Sequence, residues 1–407
     1  MKTQERIRMN IVAITAEYNP FHNGHRYMLQ QVRHQLGPDT AIVIIMSGAF
    51  VQRGEPAIVD KWTRAAWAIQ NGADCVIELP LLYAISSAEQ FAAGAVRLAS
   101  NLGCTHLSCG VEKGSAEEFH TLARLASSIS QPYHQHNGKT SGQHLTEALC
   151  HSVPAPLAQL LTTPNALLAM EYVKAIEQAG SSMTFLPIPR HDTHNDTTIT
   201  TAVASASAIR QAIVAGTPLT SFSQVLPATV ARDWEQILTK GIYTDYNRYG
   251  DFILYANRRA ALQDLQSYAA FAEGLENRWY RILRQAPSWP EALKAIKTRR
   301  YSYRRLCRMG AYTALSVRQT DMDAAYATGP AYARILALNQ HGAAIIKSAK
   351  KRLPVITKIR PSLQTLPERA KNMLSYDLAA TDLQYLCRYA PSSRLGQQDY
   401  YQSPIVI

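Results

Sequence analysis

TAEYNPFHNGHRYMLQQ, residues 15–31, joins the end of an apolar run to the start of an amphipathic one, and it sets two histidines around a glycine at the junction. The residues just before and at its start, Ile11 to Ile14, are short, uninterrupted and β-branched, which predicts a strand buried on both faces of a parallel sheet. Asn19-Pro20 stops that strand. After Gly24 the positions Tyr27, Met28 and Val32 recur at helical spacing, so a helix is expected from about His25. In an open α/β sheet such a corner is the usual ligand crevice. Unpaired N–H groups and the positive end of the helix dipole suit a phosphate there. Gly24 lets an anion approach the backbone, and His22 and His25, three apart, can aim their N–H donors at the same oxygens.

The same strand–turn–helix unit recurs along the front half. Ala41 to Met46 leads through Ser47 to Asp60 into a helix from Lys61 to Asn71; Cys75 to Leu79 is closed by Pro80; Ala88 to Leu102 forms a helix stopped by Gly103; His106 to Cys109 follows and ends at Gly110. Ser115 to Glu177 is mostly helical, and Thr184 to Ile188 is one more short strand. The alternation implies right-handed crossovers and a doubly wound, Rossmann-like parallel sheet. From about Ala231 helical periodicity dominates, so the chain is expected to divide into an α/β domain, residues 1–230, and a mainly helical one, residues 231–407.

Charge divides at the same place. Residues 1–230 hold 15 Lys and Arg against 16 Asp and Glu, whereas residues 231–407 hold 27 against 14. A near-neutral front joined to a strongly basic back suggests one part for small molecules and one for a polyanion. Between Lys294 and Gln319 there is no acid at all. Arg300, Arg304 and Arg308 fall four apart, which predicts one helical face interleaved with Tyr301, Tyr303 and Tyr312. Lys297, Arg299 and Arg305 lie in the same segment, and Lys347, Lys350, Lys351 and Arg352 form a second cluster. Both read as an extended phosphate-binding surface for RNA. The N-terminus has no apolar stretch long enough for a signal peptide, and the longest strongly apolar run is too short to span a bilayer, so a cytoplasmic protein is expected. The six cysteines show no disulfide framework; Cys104 and Cys109 read as plain buried thiols. His191-Asp192-Thr193-His194 lacks a third ligand and reads as loop histidines in a polar segment covering the crevice, so no resident metal is expected.

A second helix start, Ser205, Ser207 and Arg210 in SASAIR, supplies hydroxyls, amides and a guanidinium that can hold a phosphate chain from the opposite side. Together FHNGH and SASAIR resemble the paired signatures of the HIGH-type nucleotidyltransferase superfamily. The blocks EYNPFHNGH, MSGAFVQRGEPA, NGADCVIELP, LGCTHLSCGVE, PNALLAMEY and AEGLENRW, in this order, resemble the tRNA(Met) cytidine acetate ligase family along most of the chain. Departures are Ala206 and Ser207 where the superfamily has Ser and Thr, and Ala166 where a second Asn is expected.

The resemblance implies an ATP site through Val12, Ala13, Ile14, Thr15, Ala16, Glu17, Tyr18, Asn19, Pro20, Phe21, His22, Asn23, Gly24 and His25, closed by Gly110, Asn165 and Arg190 and joined by Ser205 and Ser207. It implies acetate as the second substrate, for which Ser47, Gly48 and Arg53 at the end of the second strand are the nearest donors. The implied reaction is acetate attack on the α-phosphorus of ATP, then acetyl transfer to N4 of the wobble cytidine of elongator tRNA(Met). His22, His25 and Arg210 would stabilise the departing pyrophosphate. Any Mg²⁺ would be carried in with ATP. Two other readings of the same motifs are a small-molecule adenylyltransferase of cofactor biosynthesis, which leaves the basic half without a purpose, and a non-catalytic RNA-binding protein.

Overall fold

In a computed structural model, which describes residues 9–129, 141–163, 165–190, 204–272 and 274–407, the apolar runs become neighbouring parallel strands. These are β1 (Ile11–Ala16), β2 (Ala41–Ser47), β3 (Cys75–Leu79), β4 (His106–Val111) and β5 (Thr184–Pro189). Across the sheet they stand in the order β3-β2-β1-β4-β5. The chain travels outward from β1 through β2 to β3, then returns to the other side of β1, so the ends of β1 and β4 flank the point where the order reverses. That point is where doubly wound sheets bind ligands.

Burial on both faces explains why these strands read as continuous apolar runs. In β2, Val43 and Ile45 pack into one core and Ile42, Ile44 and Met46 into the other, all fully buried. On the Ile42 side lie α1 (Asn23–Leu36) and α2 (Lys61–Gln70), which contribute Leu29, Val32, Trp62 and Trp67. On the Val43 side lie α3 (Ala88–Leu102) and α4 (Ala166–Gln178), with Phe91, Leu98, Met170 and Val173. The serine cap read at Ser205 begins α5 (Ala206–Val214).

The back half is helical, including α6 (Tyr303–Ala314), α7 (Gln340–Ala349) and α8 (Glu368–Leu386), but it also returns to the sheet. β6 (Ala333–Leu338) pairs antiparallel with β3, while β7 (Val355–Ile356) and β8 (Ile405–Val406) run parallel to β6. The sheet therefore crosses residue 230, and its purely parallel front acquires a mixed edge. Helical periodicity hid β6 because its alanines, leucines and single arginine favour helix locally, while burial on both faces removes the alternation that marks a strand.

Candidate active site

The backbone leaves β1 through Tyr18, which takes a left-handed φ of 48°, and a cis Asn19-Pro20 bond, and enters α1 at His22. The imidazoles cap the helix reciprocally. His22 Nδ1 accepts from the Gly24 N–H at 3.1 Å, and the His22 N–H donates to His25 Nδ1 at 3.2 Å. A ring nitrogen that accepts carries no proton, so in neutral imidazoles the hydrogen-bond network assigns the proton to Nε2 on both rings. The rings stack with centroids 3.8 Å apart and planes 28° apart, and Tyr18 packs edge-on to His25 at 4.8 Å. Sequence spacing thus brought two N–H donors side by side, with His22 nearly buried and His25 half-buried.

The turn is clamped from three directions. Asn19 Oδ1 accepts from Ile58 N–H at 2.7 Å, and Arg210 donates both to the Asn19 carbonyl and to Ser207 Oγ. Arg210 therefore faces the histidine turn from α5, whose first turn is capped by Ser205 through the Ala208 N–H. Behind them lies Arg64, fully buried on α2. Its guanidinium donates to the carbonyls of Glu17, Ser47, Gly48 and Val59, tying the ends of β1 and β2 together. Burial lowers its pKa to about 10, against the pull of Asp60 and Glu78.

The other residues read as nucleotide contacts fall into two groups. Gly110 and Arg190 meet at the ends of β4 and β5, where a Cβ on Gly110 would come 3.1 Å from Arg190 Cγ. Asn165 begins α4 and donates to Glu112 Oε1 at 2.6 Å; Thr15 and Tyr172 join their hydroxyls across the same crevice. By contrast Val12, Ala13, Ile14 and Phe21 put their side chains into the core. Residues 191–203, including His191, His194 and the covering segment, lie outside the described residues.

Ser47 to Pro56 reads as a polar loop, yet most of it is buried, folded as a small antiparallel hairpin, Phe50–Val51 against Glu55–Pro56. Ser47 Oγ is buried with no hydrogen-bond partner among the described residues. Gly48 sits so close to Glu78 that a Cβ would fall 2.0 Å from its Oε1. Only Arg53 at the tip is exposed. At Gly54, with φ of +81°, a Cβ would meet the Arg308 Cα at 2.5 Å, so the hairpin lies directly on α6. This contact brings Arg304 and Arg308 to Arg53. Burial together with the Arg53 and Arg308 charges lowers the Arg304 pKa, while Glu17 opposes them. Glu55, between this cluster and Arg210, has its carboxyl raised by burial against the pull of both arginines.

The arginine face read from sequence is altered by where α6 starts. Ser302 caps the helix at Tyr303, so Arg300 precedes it and lies by the Tyr301 ring rather than in line with Arg304 and Arg308. Arg305 turns inward to the Ala270 carbonyl, and of the three tyrosines only Tyr303 is exposed. Lys297 and Arg299 are exposed before the helix. Lys347, Lys350 and Lys351 are exposed around the end of α7, and Arg352 donates to the Ser100 and Asn101 carbonyls at the end of α3. That site precedes β4, whereas the hairpin on α6 follows the end of β2, so the two basic clusters sit at opposite ends of the parallel strands.

A family model described as HIGH Nucleotidyl Transferase matches residues 9–399. The tRNA(Met) cytidine acetate ligase of Acetivibrio thermocellus is 33% identical over 420 residues, covering 98% of this chain and all of its own. That of Latilactobacillus sakei is 36% identical, covering 86% and 88%. The chain belongs to the tRNA(Met) cytidine acetate ligase family. Solved structures of Thermotoga maritima TmcAL superpose on 98% of the chain, with a TM-score of 0.91 and 28% identity for the apo form and 0.90 and 27% for the form bound with alpha-thio ATP.

For a ligase of this family, sequence reasoning found the two helix starts and missed what holds them. Arg64 carries no periodic signal, because a buried arginine inside an apolar helix face looks like a break in the pattern. Glu55 and the approach of α6 depend on contacts between residues some 250 positions apart. The cysteines are free; burial pushes Cys104 and Cys109 up to about 12, as inert thiols. Among the described residues no helix is long and apolar enough to cross a membrane, and no three His, Cys, Asp or Glu groups gather as a metal site.

Proposed function

We propose that this protein activates acetate with ATP and transfers the acetyl group to N4 of the wobble cytidine of elongator tRNA(Met). The observation that carries the reading is the stacked His22–His25 pair, with both Nε2 protons assigned by helix capping, at the switch point of a HIGH nucleotidyltransferase sheet. The names of its relatives supply the substrate class.

In the first step an acetate oxygen attacks the α-phosphorus, and the bond to the β-phosphate oxygen breaks, giving acetyl-adenylate and pyrophosphate. Acetate is already ionised at neutral pH, so no base is needed. Charge grows on the leaving pyrophosphate, and the two Nε2–H groups with the Arg210 guanidinium stabilise it. Gly110, Asn165 and Arg190 border the nucleotide on the β4 side, and Ser205 and Ser207 face it from α5. Any Mg²⁺ would be carried in on the phosphates, where it would supply further charge neutralisation.

The unpaired Ser47 hydroxyl and the Arg53 guanidinium are the donors for acetate. In the second step the cytidine N4 attacks the acetyl carbonyl, AMP leaves, and N4 loses one proton. The anticodon nucleotide must be splayed out to reach the crevice. Arg304 and Arg308, on α6 beside Arg53, are placed to hold its backbone, with Lys297, Arg299, Arg300 and Arg305 nearby. The Lys347 to Arg352 cluster serves more distant RNA at the other ends of the strands. Residues 1–230 thus supply the nucleotide chemistry and residues 231–407 most of the RNA surface, in the cytoplasm where tRNA and ATP are found.

The test is incubation with labelled acetate, ATP and tRNA. Label entering RNA with AMP and pyrophosphate as co-products is expected; ADP formation, or AMP without label in RNA, would overturn the reading.

A further inference from the structure

Tyr389 is 58% exposed, and its ring lies flat on Tyr243, with centroids 5.3 Å apart and planes 11° apart. One face of the Tyr389 ring is covered and the other meets solvent. Single exposed apolar side chains are ordinary on a protein surface, but most are free to rotate. This one is fixed. Tyr389 N–H donates to the Tyr243 carbonyl at 2.9 Å, Ala390 N–H to Gly241 at 2.9 Å, and Asp245 N–H to Cys387 at 2.8 Å, so the two segments form a short antiparallel ladder.

The ladder continues to the crevice. Thr244 N–H donates to the Ile58 carbonyl at 2.8 Å, and Ile58 N–H donates to Asn19 Oδ1 at 2.7 Å. Two backbone steps and one backbone-to-side-chain bond therefore connect the Tyr389 segment to the histidine turn. Two guanidinium groups are bonded to the segment that carries the ring. Arg394 is anchored on the carbonyls of Arg388 and Tyr389 at 2.7 Å each, and Arg248 on that of Leu386 at 3.4 Å. An aromatic face on a backbone segment that also holds two cations offers what a splayed nucleotide needs: a surface for the base and partners for its phosphate.

We propose that Tyr389, backed by Tyr243, is a stacking platform for an unpaired RNA base next to the nucleotide that reacts, with Arg248 and Arg394 on the adjoining phosphates. This rests on the RNA reading above. Stacking is tolerant of base identity, so the platform positions the strand and leaves its selection to other contacts.

The test compares the full-length parent with Tyr389→Ala and Tyr389→Trp, measuring binding of an anticodon stem-loop RNA and acetate-dependent ATP–pyrophosphate exchange without RNA. Tyr389→Ala is expected to weaken RNA binding about 10- to 100-fold. Tyr389→Trp should bind as the parent does, and the exchange rate should be the same in all three. An alanine variant that binds RNA as tightly as the parent, or a tryptophan variant that loses as much as alanine, overturns the platform. If the parent itself neither binds nor acetylates RNA, the functional reading fails instead, and the platform with it.

Discussion

His25 has two jobs that lie on different atoms of one ring, and substitution can separate them. Its Nδ1 accepts the His22 N–H and so belongs to the cap of α1. Its Nε2 carries the proton that the proposed mechanism directs at the phosphates. Asparagine places Oδ1 close to where Nδ1 stands but has nothing at the Nε2 position, whereas glutamine does the reverse. His25→Asn should therefore keep the cap. The stability at issue is one neutral hydrogen bond at a helix start, about 1 kcal/mol. The catalytic loss is one donor to developing charge, about 3 kcal/mol, or 10²- to 10³-fold in rate.

The expected pattern is a His25→Asn protein that unfolds at the parent's denaturant midpoint yet exchanges pyrophosphate into ATP 10²- to 10³-fold more slowly. His25→Gln should lose part of the cap and retain more of the rate. His25→Ala should lose both. Acetate-dependent ATP–pyrophosphate exchange, beside urea unfolding, measures the two quantities independently. A His25→Asn variant that turns over like the parent would refute the role of Nε2. Slow turnover in asparagine and glutamine variants alike, with equal loss of stability, would show that the ring matters only as packing.

Replacing Arg64 with Met takes a donor from four carbonyls at the ends of β1, β2 and the following loop, and while Val59 keeps its bond from Gln384, each of the other three left unsatisfied costs about 1–3 kcal/mol. The denaturant midpoint should fall steeply; an unchanged midpoint would mean that water replaces the guanidinium. Asp377, buried beneath β3, accepts from Leu81 N–H and Tyr332 OH, and its carboxyl is pushed up to about 7, first by burial and then by Glu78. Because the folded chain keeps this proton where the unfolded chain has lost it, the group's contribution is full below about pH 4 and is lost as pH rises through about 7. Asp377→Asn should flatten the stability profile between those limits, and a profile identical to the parent's would exclude it.

What was legible in the sequence follows from how local each signal is. The strand at Cys75–Leu79 and the helix at Ala88–Leu102 appear where periodicity, a serine cap and a closing glycine place them, because each is specified within its own residues. The histidine pair was legible for the same reason: three-residue spacing at a strand-to-helix corner fixes which groups meet. The β6 strand was not, since Arg334 within an apolar run makes sense only once its partners from Glu78 and Asp399 are known. The start of α6 was missed because Ser302, a cap, sits inside a run of arginines and tyrosines whose spacing is helical on both sides of it. The spacing was correct for Arg304 and Arg308 and misleading for Arg300.

Those distant partners also tie the histidine corner's sheet to the basic half. Lys61 at the start of α2 binds Glu78 at 2.8 and 2.9 Å and Asp399 at 2.9 Å, while Arg334 binds the same two carboxylates from the other side. All four are buried. Burial works against the Asp399 carboxylate, but Lys61 and Arg334 hold it below its ordinary range. Two cations and two anions balance, so the group is tolerable only when complete; removing one member leaves an uncompensated charge, at about 3–5 kcal/mol. Two members come from the front half and two from β6 and the C-terminal tail. Glu78 meanwhile lies directly against Gly48, beneath the proposed acetate site. Pulling the C-terminal half away would therefore leave Lys61 and Glu78 facing each other without their outer partners, and the strand end that carries Ser47 would be the first part of the crevice to feel it.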